Sequence, residues 1–210
     1  MRTDASTKLA ALPRIAWTLC ALAALLSAPA AKAAERFLID PEHTFSSFEY
    51  LHWGLSLQRG RFDKNSGEIE LDQAAKTGKI AIKIDAASVS TGSEIFNQVL
   101  RSQNFFDVKT YPEIAFISDK LVFKDEQLAQ VEGQLTIKEI TLPVTITITH
   151  FACRFMLLYM KRACGANGYT SISRSEFKLG RYVPFVSDDV TLYLSVEAIS
   201  DTAPAQNKDQ

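Results

Sequence analysis

The sequence lacks the short signatures that announce a catalytic or nucleotide-binding core. It contains no GxGxxG, P-loop, HExxH, GxSxG or CxxC pattern. Dinucleotide, nucleotide, zinc-protease and serine-hydrolase chemistry each lose their recognisable footing. No activated nucleophile is visible. Histidine is scarce: His43 precedes a strand-like run, His52 ends it, and His150 stands apart. That spacing offers no paired metal ligands on one strand face. Asp188-Asp189 reads as a strand-entry turn rather than a catalytic pair. Positive charge is not in excess either. The chain of 210 residues has a formal net charge of −1, and residues 34–210 carry about −4. This balance argues against a dedicated nucleic-acid or anionic-membrane binder, which needs surplus Lys and Arg.

What is present begins with an export signal. Arg2, Lys8 and Arg14 form a positive region, Ile15 to Leu26 is apolar and uncharged, and Ala31-Lys32-Ala33 supplies a small-x-small cleavage pattern. Residues 1–33 therefore read as a cleaved signal peptide, residues 34–200 as one domain and 201–210 as a flexible tail. The apolar run is short for a bilayer span of about 20 residues. Cys20 lies inside that run behind Leu19, which does not suit lipid attachment. No second apolar span follows, so stable membrane insertion is not expected. Beyond the signal only Cys153 and Cys164 remain. An even count in an exported chain favours a disulfide, and two unpaired thiols are the alternative. The segment between them reads as a loop before a strand near 168–176.

The dominant pattern is period two. Ser46, Phe48, Tyr50 and His52 share one strand face, and Ile80, Ile82 and Ile84 another. Ile114, Phe116 and Ser118 alternate with Ala115 and Ile117. Val131, Gly133, Leu135 and Ile137, then Val144, Ile146 and Ile148, then Val190, Leu192, Leu194 and Val196 repeat the pattern. Such alternation marks antiparallel strands with one buried face. About eight strands are expected, near 37–52, 57–63, 66–73, 78–88, 112–124, 128–138, 141–151 and 168–176, with another at 189–199. Thr91-Gly92-Ser93-Glu94 reads as a capping box before a short helix at about 93–102. Ile95, Phe96, Val99 and Leu100 would form its apolar face. Long strands with short sequential connections predict an all-β fold, an antiparallel eight-stranded lipocalin-like barrel with one amphipathic helix. A barrel of that size holds side chains or one ligand. All thirteen phenylalanines lie after residue 33. Small entries on the inward faces, Ser46, Ser118 and Gly133, would leave a channel among the large ones. The residues alone thus point to an exported barrel with room for an apolar molecule.

Ordered motifs add a resemblance. Asp40-Pro41-Glu42-His43-Thr44 leads into Phe48 and His52. Gly60-Arg61-Phe62, Gly67-Glu68-Ile69, Ser88-Val89-Ser90-Thr91-Gly92 and Leu100-Arg101-Ser102 follow. Asn104-Phe105-Phe106-Asp107-Val108, with Tyr111-Pro112 and Phe116-Ile117-Ser118, is the most specific block. Gly133 to Ile137, Thr141 to Val144, Arg174 to Phe177 and Ser187 to Val190 complete the order. From about Phe37 to Ala198 the chain resembles the YceI-like family of exported, lipocalin-like, polyisoprenoid-binding proteins. Glu139 stands where that family usually has glycine, Asn97 replaces an acidic residue, and the Cys153/Cys164 insertion resembles only a subset.

The resemblance implies a periplasmic binding protein, not an enzyme, that sequesters an isoprenoid lipid or quinone tail as ligand, with no further cofactor. It leaves a homodimer open. Phe48, Tyr50, His52, Ile82, Phe116, Leu135, Ile146, Arg174 and Leu194 are the expected ligand-binding residues. An enzyme acting on such a lipid through His52 or Arg174, and a scaffold for a periplasmic stress or redox system, are the rival readings.

Overall fold

The computed structural model describes residues 34–202. The expected signal peptide, residues 1–33, lies outside the described residues, as does the expected tail beyond Thr202. Eleven strands and one α-helix follow in order: β1 Glu35–Ile39, β2 Phe45–His52, β3 Ser56–Phe62, β4 Asn65–Asp72, β5 Thr77–Asp85, β6 Val89–Ser90, α1 Glu94–Arg101, β7 Glu113–Lys124, β8 Gln127–Ile137, β9 Ile140–Met156, β10 Lys161–Ser173 and β11 Asp189–Ser200. All pairings are antiparallel. β1-β4-β5-β7-β8-β9-β10-β11 run side by side, and β1 returns to β11 through Phe37 opposite Ser200, closing an eight-stranded barrel. β2, β3 and β6 continue from the other half of β11.

That last arrangement corrects the expected strand 37–52, which is two strands. Pro41 has no N–H to give to a ladder. The Asp40 carboxylate instead accepts the Glu42 amide at 3.0 Å, turning the chain. Thr44 then rejoins β11: its hydroxyl donates to the Glu197 carbonyl and accepts from the Glu197 amide at 3.1 Å. A matching bend separates β3 from β4. There the buried Asn65 amide donates to the carbonyls of Thr44 and Phe62, both at 3.0 Å, and its oxygen accepts the Ser46 hydroxyl at 2.7 Å. Asn65 reads as a turn residue in the sequence. In the fold it satisfies the backbone groups that two adjacent bends leave unpaired.

Three further expectations change. The cap of α1 is Ser93, whose hydroxyl accepts the Phe96 amide, rather than Thr91. Thr91 donates instead to the Asn97 side chain at 2.8 Å. Asn97 thereby takes a core-facing position, and the buried face shifts to Phe96, Asn97 and Leu100, leaving Ile95 81% exposed. The segment between the cysteines is not a loop. β9 and β10 continue as a hairpin through Met156 opposite Lys161, and Cys153 faces Cys164 directly, joined as a disulfide. The bond links paired strands, so it braces the hairpin. The strand near 168–176 starts earlier and stops at Ser173, where Arg174–Phe177 form a 3-10 turn.

The core follows the alternation. Phe37, Ile82, Ile84, Val89, Ile114, Phe116, Leu135 and Phe177 are among its buried members. Ile117, out of phase with them, is exposed.

Candidate functional site

The barrel encloses a cavity of about 430 Å³. Its wall runs from Phe37, Leu71, Leu121 and Leu128 near one end to His52, Trp53, Phe96 and Tyr182 near the other. The β4–β5, β7–β8 and β9–β10 turns lie at the first end. The second, the mouth, is built from the β2–β3 turn, α1, the segment after it and the stretch between β10 and β11. All nine residues expected at the ligand line this cavity: Phe48, Tyr50, His52, Ile82, Phe116, Leu135, Ile146, Arg174 and Leu194. One inward phase, carried by successive strands, brings eight of them together, and the 3-10 turn after β10 adds Arg174.

The small residues do not behave as expected. A Cβ on Gly133 would collide with the Phe116 ring, and one on Gly60 with the Phe48 ring. The outer end of each ring reaches bare backbone on the neighbouring strand. Gly133 therefore seats an aromatic instead of opening a gap. Ser118 does not line the cavity. It sits at the β7–β8 irregularity, where its hydroxyl donates to the Glu132 carbonyl at 2.6 Å and accepts the Lys120 amide at 3.1 Å. Ser46 does line the wall, with its hydroxyl turned to Asn65.

Arg174 is the one buried cation of the described wall. Its guanidinium donates to four backbone carbonyls: Ser187 at 2.8 Å, Arg181 and Val186 at 2.9 Å each, and Leu179. Four of its five N–H groups are thus engaged. Burial pulls its pKa below the ordinary guanidinium value, opposed by the charge of Asp188. Burial also raises the Tyr50 hydroxyl, and the nearby Arg174 charge opposes that shift. The Asp188 carbonyl accepts the Arg174 amide at 3.0 Å, but the Asp188 carboxylate does not pair with the guanidinium. That carboxylate accepts the Ser175 amide at 2.8 Å and hydroxyl at 2.6 Å, a turn-closing role. Arg174 is first of all the clamp of the 179–187 segment.

That segment is stitched to β2 as well. The Trp53 amide donates to the Phe185 carbonyl at 2.8 Å, and the Ser187 amide to that of Leu51 at 2.9 Å. Trp53 stacks on Phe185 with ring centroids 4.7 Å apart. Arg181 reaches Asn104 at 2.6 Å, tying the segment to the chain after α1. Sequence reasoning did not assign Phe105, Phe106 or Phe62 to the site. All three line the cavity, and Phe106 meets Phe62 edge-on at 5.4 Å. The paired phenylalanines of Asn104–Val108 were the available signal.

His43 lies outside this cavity, held by Asp40 at 2.8 Å, a hydrogen bond that raises its pKa. His150 is exposed on β9. Among the described residues no group of three His, Cys, Asp or Glu side chains could hold a metal ion.

A family model of the YceI-like domain matches residues 37–198. A UPF0312 protein of Pseudomonas putida strain GB-1 is 32% identical over 179 residues, covering 84% of this chain and 92% of that one. One from Pseudomonas syringae pv. tomato is 36% identical over 129 residues, covering 60% and 67%. The crystal structure of a Campylobacter jejuni YceI protein covers 70% of this chain and 88% of its own at 26% identity, with a TM-score of 0.62. A polyisoprenoid binding domain from Saccharophagus degradans, implicated in plant cell wall breakdown, shares the fold at 16% identity. It covers 80% and 99%, with a TM-score of 0.60.

Proposed function

The chain belongs to the YceI-like domain family, and on that footing we propose that it is a periplasmic carrier that sequesters an isoprenoid chain. The observation that carries the reading is the cavity: apolar side chains from successive strands line it along the barrel. Its volume of about 430 Å³ falls in the range of small-molecule sites, about 300–1,000 Å³. An isoprenoid tail exposes a large apolar area to water. At about 0.8 kcal/mol per buried methylene, each five-carbon unit contributes on the order of 3–4 kcal/mol gross. Several units therefore bind without many hydrogen bonds. Phe48, Ile82, Phe116, Leu135, Ile146 and Leu194 hold the tail. Tyr50, His52 and the remaining N–H of Arg174 stand toward the head group. The protein makes and breaks no bond, and its work is shielding and delivery. The disulfide suits an oxidising compartment, in keeping with cleavage of residues 1–33 on export.

Organic extraction of the purified protein followed by mass spectrometry of the extract tests this. A polyprenyl or quinone lipid at near one per chain is the expected result. Protein that leaves with no lipid, and takes up none from isoprenoid-bearing vesicles, overturns the reading.

A further inference from the structure

We propose that the β9–β10 hairpin tip is a finger that docks the protein on an anionic lipid bilayer. Beyond the disulfide rung, the sequence Phe155-Met156-Leu157-Leu158-Tyr159-Met160 is apolar without interruption. Period-two burial fails here, because no other strand packs on the tip. Leu157 is 78% and Leu158 81% exposed, and Phe155 and Met160 are more than half exposed. An apolar cluster of this kind at the end of a projecting element marks an interaction site rather than scattered surface hydrophobics.

Charge names the partner. Arg154 and Lys161 flank the apolar run, and among the described residues neither has a carboxylate within salt-bridge distance. Of the acids near the finger's root, Glu35 holds Arg162 at 2.9 Å, Asp201 holds Arg36 at 2.8 Å and Asp40 holds His43, while Glu197, opposite Gly165, forms no ion pair with either cation. An apolar tip with unpaired cations at its base matches the layering of an anionic membrane, acyl chains below and phosphates above. The geometry matches too. The three steps from Arg154 to Leu157 reach about 10 Å in extended backbone, and interfacial elements bury about 5–10 Å. The disulfide and the Arg162–Glu35 pair stiffen the base. The net charge of residues 34–210 excludes attraction over the whole surface, so docking depends on this tip alone. The finger lies at the end opposite the cavity mouth, which then faces away from the docked bilayer.

The test is flotation of protein purified from cells expressing the full chain. Vesicles of phosphatidylglycerol and phosphatidylethanolamine are compared with pure phosphatidylcholine. Flotation with the anionic vesicles at least tenfold above the neutral ones is expected. L157S/L158S should lower binding to both by tenfold or more. R154Q/K161Q should erase most of the anionic preference, about 30-fold for two cations. Circular dichroism shows that the variants keep their strands. Lipid retained in the cavity should not change in either variant, which separates this proposal from the carrier reading. Wild-type and L157S/L158S protein floating alike would overturn it. So would no flotation together with a dimer that L157S/L158S converts to monomer, which would make a second copy the finger's partner.

Discussion

The two ends of this barrel solve the same problem, terminating a cylinder of strands, by opposite means. At the mouth the chain leaves regular structure, and side chains satisfy the backbone: Arg174 serves four carbonyls and Ser187 and Trp53 cross-link segments. At the far end the ladder simply continues, with β9 and β10 paired to Met156 and Lys161 and fastened by a disulfide. Irregular backbone bonded by a few side chains can open locally, whereas a continuous ladder opens rung by rung. Access to the cavity therefore belongs to the mouth, and rigidity to the far end.

Arg174→Met is the strongest way to break that contrast. It removes four charge-assisted bonds and should cost about 3–4 kcal/mol. Hydrogen exchange should rise at Leu179–Ser187 while β9 and β10 stay protected, and bound lipid should be lost. A stability loss below about 1 kcal/mol would show that the segment holds without its clamp. Cys153→Ser with Cys164→Ser comes next. Opening a loop of sequence separation 11 should cost about 2–3 kcal/mol in the chain-entropy model. Lipid retention should not change, and simultaneous release of lipid would mean the two ends are coupled. Thiol labelling before and after reduction gives the companion readout, with no labelling expected without reductant.

Phe116→Ala and Leu135→Ala address the wall between the ends. In a filled core each would cost about 2–5 kcal/mol. A side chain facing a cavity leaves fewer packing contacts behind, so about 1–2 kcal/mol in delipidated protein is expected, with loss of bound lipid as the larger effect. Thr147→Ala, out of the inward phase, is the control. Melting and lipid quantification decide: full lipid with a loss of several kcal/mol would make these residues ordinary core.

The smallest effect is a pH dependence at the mouth. Contact with Lys178 at 2.6 Å, then the Glu139 amide and the Tyr111 hydroxyl, lower Glu139 from 4.5 to about 2. A depressed carboxylate stabilises the fold above its ordinary value, and that contribution fades as pH falls through about 2. Melting temperature should therefore decline between pH 4.5 and 2 by a component that Glu139→Gln lacks. Identical pH profiles for the two proteins would remove Glu139 from the mouth's stability.

Most of the barrel was legible because burial on one face imposes period two, and the same phase placed eight strand side chains on one cavity. What escaped was decided at long range or by side-chain bonding. The break between β1 and β2 depends on Thr44 meeting Glu197, 153 residues away. Ile95 fits the helical stripe, yet the Thr91–Asn97 bond turns it outward. The finger was hidden for the converse reason. Its run of apolar residues has no alternation, since neither of its faces is a core.

Phe48 over Gly60 and Phe116 over Gly133 carry one more consequence. A ring already pressed on naked peptide has nowhere further to retreat, so at these two points the lumen is as wide as the polypeptide allows. A guest cannot widen the bore there by pushing. It is gauged by girth, the way a die gauges wire, while its length is free to extend toward the mouth.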